Sequence, residues 1–384
     1  MRSKRAYQPA TAIALMMLSL LLVLPLGCVT RSSTTPKQAA PTARRTTSAA
    51  ASTRPGQVSQ TSAPIPVERT AWRFAGADGQ IITTPHYQLY ITLGDPKVID
   101  RLLVFAERGL THYTSALADL PMPAGRLETY LFQNRKQWEA KTRQLLPTQA
   151  PTFLNLGRGG FTTRGRSVLY YIDHRGRTRD TFAILAHEGW HQYAQTTFRR
   201  QLPVWLEEGI ATYMEGYLTD PDERLEFRPW ANRERYRTLR HAVRTETLIG
   251  LDEVITRTPQ SFLEVSKDQL LVYYSQVWAL VHFLHEGRRE HYRPRLIQLL
   301  TDAARGRVAA KRATLNESTE RRGGSGTLRS QLASIFVKQY FDAEFDTFEQ
   351  QYTDFIHQVV APGGYDRIAE GRSPLVEGTS RNEQ

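Results

Sequence analysis

His187-Glu188-Gly189-Trp190-His191 places two imidazoles four residues apart, with a glutamate directly after the first. On a helix, four residues turn through about 400°, so both rings project from one face, one turn apart. That spacing can aim two nitrogens at one ion about 2.0–2.1 Å away. Glu188 lies about 100° round from His187, beside such an ion and not on it. There it can take a proton from the water that the ion activates, the general-base role in hydrolysis. A zinc site of this kind needs a third protein ligand and one open position. The next apolar helical pattern, Pro203 to Tyr213, carries Glu207 and Glu208, and Glu215 follows it. All three are acidic candidates, and spacing alone leaves the choice between Glu207 and Glu208 open.

The two segments together resemble a known family. HExxH followed by Trp205-Leu206-Glu207-Glu208-Gly209-Ile210-Ala211-Thr212-Tyr213 is similar to the gluzincin metallopeptidases of the peptidase MA-like group, whose second motif runs W-L-x-E-G-x-A-x-Y. The nearest likeness is to small exported bacterial members. The resemblance implies one Zn²⁺ held by His187, His191 and Glu208, with Glu188 as the catalytic base; Glu207 is left as a solvated helix carboxylate. It also implies a zincin-like α+β fold: a small N-terminal mixed sheet with helices, then a mostly helical half, with the active-site cleft between. Such sites usually have an edge strand that pairs with an extended peptide, and Ser167 to Ile172 is the candidate here. They also need a donor for the developing oxyanion, for which Tyr274 is preferred. Thr212, four residues after Glu208, occupies a position that often orients a metal ligand. His282 and His285, further along the Tyr274 helix, read as packing or surface residues.

Several elements must hold these residues. Tyr87 to Leu93 alternates and is rich in β-formers, which predicts a strand. Asp95 to Leu117 has helical spacing and opens with Asp-Pro. Arg126 to Phe132 predicts a second strand and Asn134 to Leu146 a second helix. A glycine-rich turn at Gly157 to Gly160, the apolar strand Ser167 to Ile172 and a turn at Asp173 to Gly176 follow. The motif helix itself spans Thr181 to Thr196, with Asp180 as a suitable N-cap. Two helices are expected between Asp268 and Thr301. A basic loop stands around Arg321 to Gly326, and Ser330 to Val360 is helical with an aromatic stripe.

The N-terminus has a different texture. Residues 1–27 combine a basic start with an apolar run from Ala12 to Leu26, the pattern of an export signal. The run ends at Leu26-Gly27-Cys28 and resembles a lipoprotein signal, in which Cys28, the single cysteine, becomes the lipidated first residue. Residues 28–69 are dominated by Ser, Thr, Pro and Ala and are expected to form a disordered tether. Residues 70–360 are the peptidase-like domain, divided at 200 into an α/β and a helical half, and 361–384 form a loose tail. The expected placement is the cell envelope, with a lipid anchor in a membrane and a peptide or protein as substrate.

Composition excludes collagen-like, disulfide-rich and polytopic membrane classes. The 384 residues include 6 Trp, 17 Tyr and 15 Phe, enough for a sizeable core. The net charge of +12 suggests nucleic acid at first sight. Eight of those units are Arg2, Lys4, Arg5, Arg31, Lys37, Arg44, Arg45 and Arg54, all ahead of the folded body, so nucleic acid is not expected as a partner. The alternative to a hydrolase is a catalytically silent lipoprotein that keeps the zinc site and works as an envelope binding or structural module.

Overall fold

Alternating side chains and short turns build a sheet first, and helices then cover its two faces. The computed structural model describes residues 65–154, 159–172, 179–219, 225–307 and 326–375. The signal and tether expectations for residues 1–64, the turn at Asp173 to Gly176 and most of the basic loop fall outside these residues, as does the side chain of Asp180.

The strands are β1 (Glu68–Phe74), β2 (Ala77–Thr83), β3 (Tyr87–Ile91), β4 (Leu127–Phe132), β5 (Gly160–Thr163) and β6 (Arg166–Tyr170). They form one mixed sheet in the order β1-β2-β3-β4-β6-β5. β1, β2 and β3 form an antiparallel meander, β3, β4 and β6 run parallel, and β5 returns antiparallel on β6. β1 begins two residues inside the segment read as tether. β6 was the expected edge strand, but it is flanked on both sides; the edge is β5. Gly160-Phe-Thr-Thr163 is short and sits beside glycines, so only its pairing with β6 reveals it as a strand.

Helix α1 (Pro96–Ser115) starts where Asp95 accepts from the amide of Lys97 at 2.9 Å, and α2 (Arg135–Leu145) starts where Asn134 accepts from Gln137 at 3.1 Å. Both caps satisfy amides that the helix itself leaves without partners. The short α3 (Ala150–Leu154) follows. One sheet face, with Leu89, Ile91, Leu131 and Leu169, buries against α1 and the motif helix α4 (Arg179–Thr197). The opposite face, with Tyr130, Phe132 and Val168, buries against α2 and α3 around Trp138.

The second half is helical. α5 (Val204–Met214) leads to a small hairpin of β7 (Tyr217–Thr219) and β8 (Leu225–Phe227). Then come α6 (Arg233–Arg244), α7 (Leu251–Thr256), α8 (Pro259–Leu263), α9 (Lys267–Glu290), α10 (Arg293–Arg305), α11 (Gly326–Phe341) and α12 (Phe345–Val359). A last short helix, α13 (Gly364–Ala369), lies in the segment read as a loose tail; Ile368 on it is fully buried. The centre of this half is α9, whose Val277, Trp278, Val281 and Leu284 have no exposed surface. Gly209 lets α5 lie directly on it, because a Cβ there would stand 2.8 Å from the carbonyl oxygen of Val277 and from Val281 Cγ2. The glycine after Glu208 is thus a close-approach residue, and it sets the distance of Glu208 from the core.

Candidate metal centre

Three side chains from α4 and α5 converge. His187 Nε2 and His191 Nε2 are 3.3 Å apart, and Glu208 Oε2 lies 3.5 Å from the first and 3.6 Å from the second. Four ligands placed tetrahedrally at 2.0–2.1 Å from one ion stand about 3.3–3.4 Å from each other. The observed triangle therefore matches three corners of such a site. Glu208 Oε2 is buried and has no hydrogen-bond partner. A buried carboxylate oxygen without a donor costs free energy unless something cationic completes it. This donor set, two imidazoles and one carboxylate, fits a divalent metal ion, and His187, His191 and Glu208 can hold one.

The other ring nitrogens show why the Nε2 atoms face inward. His187 Nδ1 is 3.0 Å from Glu215 Oε1, and His191 Nδ1 is 3.2 Å from Glu207 Oε1. Each carboxylate accepts the Nδ1 proton and leaves the Nε2 lone pair toward the site. Glu207 is therefore not a solvated helix carboxylate; it orients His191. Glu215 is itself held, by Arg235 Nη2 at 2.8 Å, Arg235 Nε at 3.1 Å and Asn232 Nδ2 at 2.7 Å. Thr212, the expected orienting residue, turns its hydroxyl to the carbonyl of Gly209 at 2.7 Å. Glu215 takes that task. It is seven residues after Glu208, nearly two helical turns, so the two carboxylates share a face. That spacing was the signal available in the sequence; Arg235 and Asn232, on and just before α6, gave none.

Charges follow from these contacts. Burial opposes a proton on His187, but the Glu208 carboxylate beside it and the bond that its ring donates to Glu215 outweigh that and raise its pKa to about 9 in the metal-free site. Burial likewise opposes charge on Glu215, yet Arg235 and His187 bring its pKa down to about 2. Glu208 is held well below the usual carboxylate range by the two histidines, against its own burial.

Glu188, next to His187 on α4, is largely buried against the sheet. Thr162 on β5 reaches its Oε2 at 2.8 Å. The motif helix is fastened to the sheet nearby: Gln192 Nε2 donates to the carbonyls of Glu128 at 2.6 Å and Gly165 at 3.0 Å, while Gln195 accepts from the amide of Gly165 at 3.0 Å. Tyr274 on α9 borders the site, with its ring 6.1 Å from that of His187 and the Arg235 guanidinium 5.0 Å from its centroid. His282 does not reach the site: it stacks on Trp230 at 3.6 Å and pairs with Glu286 at 2.9 Å. His285 is turned the same way, beside Tyr213.

Because Glu215 fixes His187 through one hydrogen bond, Glu215→Gln is expected to weaken metal binding about 10–100-fold while the fold survives. Competition against a chelator of known affinity checks this; an unchanged dissociation constant would show that the contact does not matter to the metal.

No curated protein matches the chain. A family described as "Protein of unknown function (DUF1570)" matches residues 181–306, the stretch from α4 through α10 that carries His187, Glu188, His191, Glu207, Glu208, Glu215, Arg235 and Tyr274.

Proposed function

We propose that this chain is a zinc-dependent peptide-bond hydrolase of the gluzincin type. The observation that carries the reading is the His187–His191–Glu208 triangle, 3.3–3.6 Å on a side, with an unpartnered carboxylate oxygen at one corner. Two imidazoles and one carboxylate in tetrahedral array suit Zn²⁺ best among the common divalent ions. Zinc, when bound, supplies Lewis acidity to the scissile carbonyl and to the attacking water.

The chain's own residues then carry the proton. Glu188 takes one from the water as the C–O bond forms, and returns it to the amine nitrogen as the C–N bond breaks. In this reading Tyr274, whose ring lies 6.1 Å from that of His187, is the donor to the tetrahedral oxyanion. Burial and the neighbouring Glu208 carboxylate raise its pKa well above the phenol range, so it stays protonated and able to donate. A peptide has a place to lie along β5. Its hairpin with β6 closes on Arg164 and Gly165, both with positive φ, and the amide of Tyr170 donates to Gly159. In that register Gly160 and Thr162 turn their N–H and C=O groups away from β6, toward the open edge. An extended peptide can pair there as an added strand.

The test is metal content together with digestion of a mixed peptide library by the mature protein, with Glu188→Gln as control. One zinc per chain and cleavage that disappears in the variant are expected. Stoichiometric zinc with no cleavage across the library would favour the silent envelope module instead. In this reading the enzyme sits on a membrane of the cell envelope through a lipid at Cys28, which the export pattern of residues 1–27 and the single cysteine support. Mass spectrometry of the mature N-terminus tests that placement, and an unmodified Cys28 would count against it.

A further inference from the structure

We propose that Thr162 on the edge strand is the positioning residue for the base Glu188, so that the strand which receives the peptide also aims the carboxylate that activates water. The proposal rests on the hydrolase reading above.

Thr162 Oγ1 is 2.8 Å from Glu188 Oε2, 3.0 Å from Glu188 O and 2.9 Å from Ser167 Oγ. Ser167, fully buried, already donates to Glu188 O at 3.1 Å. The Thr162 proton is therefore free for the carboxylate, where the bond is charge-assisted and stronger. Held by Oε2, the Glu188 carboxylate has its other oxygen left for water.

The neighbouring backbone completes the clamp. Gly160, two residues back and on the same face of β5, lies against the Glu188 stem: a Cβ there would stand 3.0 Å from Glu188 Cγ and 2.6 Å from Ile184 Cγ2. Gly160 and Thr162 thus bracket the side chain from the strand side. These are also the two residues whose N–H and C=O groups face the open edge. Any peptide that pairs with β5 bears on the strand segment that fixes the base. Among the described residues, the hydrogen bond that reaches the Glu188 carboxylate comes from Thr162 on β5 and not from α4.

Thr162→Val removes the hydroxyl at nearly constant volume, and Thr162→Ser restores it. Misplacing a reacting group by a fraction of an ångström to 1 Å costs up to about 100-fold in rate, so the Val variant should lose about 10–100-fold in kcat. KM and zinc affinity should stay near the wild-type values, and the Ser variant should recover kcat. A second readout needs no turnover. A peptide hydroxamate bound to the zinc-loaded protein presents an acidic proton to Glu188, so by calorimetry its affinity should fall in Thr162→Val and return in Thr162→Ser. Wild-type kcat and hydroxamate affinity in the Val variant would overturn the proposal, as would a Ser variant that fails to recover either while melting like wild type. The two readings fail separately. Wild-type protein that binds zinc and hydroxamate but cleaves no peptide removes the hydrolase, and the hydroxamate series alone then decides the Thr162 contact. Protein that binds neither overturns both.

Discussion

If the proposed hydrolase reading holds, Glu188→Gln is expected to retain the bound metal and lose peptide hydrolysis by about 10²–10⁴-fold in kcat, the range that a positioned general base contributes. The substitution is nearly isosteric. The amide oxygen of Gln can still accept from Thr162, and His187 and His191 on either side keep their partners Glu215 and Glu207. What disappears is the ability to take a proton from water and return it to the amine. The loss should therefore fall on kcat with little change in KM, since no ground-state contact to the peptide is removed. Metal content measured on the same preparation separates this from simple loss of the ion. A variant that turns over peptide at the wild-type rate would remove Glu188 from the mechanism and leave the HExxH helix only a metal-binding role.

The second large effect concerns the metal and its protons. Truncating Glu208 to Ala should lower zinc affinity by on the order of 10³-fold or more, because binding free energies of about 10–16 kcal/mol at structural zinc sites are shared among few ligands. Proton release should accompany binding to the intact site. In the metal-free protein His187 is raised from 6.5 to about 9, against its burial, by Glu208 and Glu215. A raised pKa means that its pairing stabilises the fold fully below pH 6.5, and that this contribution is lost as pH rises through about 9. Glu215, lowered from 4.5 to about 2, contributes fully above pH 4.5 and loses that contribution as pH falls through about 2. From this pair the metal-free protein is most stable between about pH 4.5 and 6.5. Zinc needs the neutral imidazole, so it must displace the His187 proton, and affinity should climb steadily from pH 6.5 to 9. Calorimetric titration at pH 7 in two buffers of different ionisation enthalpy measures the proton released. Zinc binding without proton release, or with no pH dependence across that range, would contradict the charge state assigned to the site.

Local covalent geometry explains why some of this was legible before any fold was known. The 3.6-residue turn makes His187 and His191 neighbours whatever the rest of the chain does, and it puts Glu208 and Glu215 on one face of the next segment. Asp95 and Asn134 announced their helices because a cap bonds amides only two or three residues on. The strands at β3 and β4 and the helices α1 and α2 were legible from the same short-range periodicities, while the α+β arrangement as a whole was what the family resemblance implied. Other features depended on segments far apart in sequence. Which strand forms the edge was decided by the β5–β6 pairing, and the β1–β2 hairpin at the opposite edge went unseen because its residues carry little apolar alternation. Thr162 meets Glu188 across 26 residues of chain, and Arg235 meets Glu215 across 20. Glu207, Thr212 and Glu215 look interchangeable as polar helix residues; only the approach of α5 to α4, at a distance that Gly209 allows against α9, settles which of them touches a histidine. Spacing along one helix specifies directions about its axis, and so the sequence determined that His187 and His191 can share an ion; that Glu208 and not Glu207 completes the group was decided by tertiary packing. The partners that orient those side chains come from other elements, and only tertiary packing brought them within hydrogen-bonding distance.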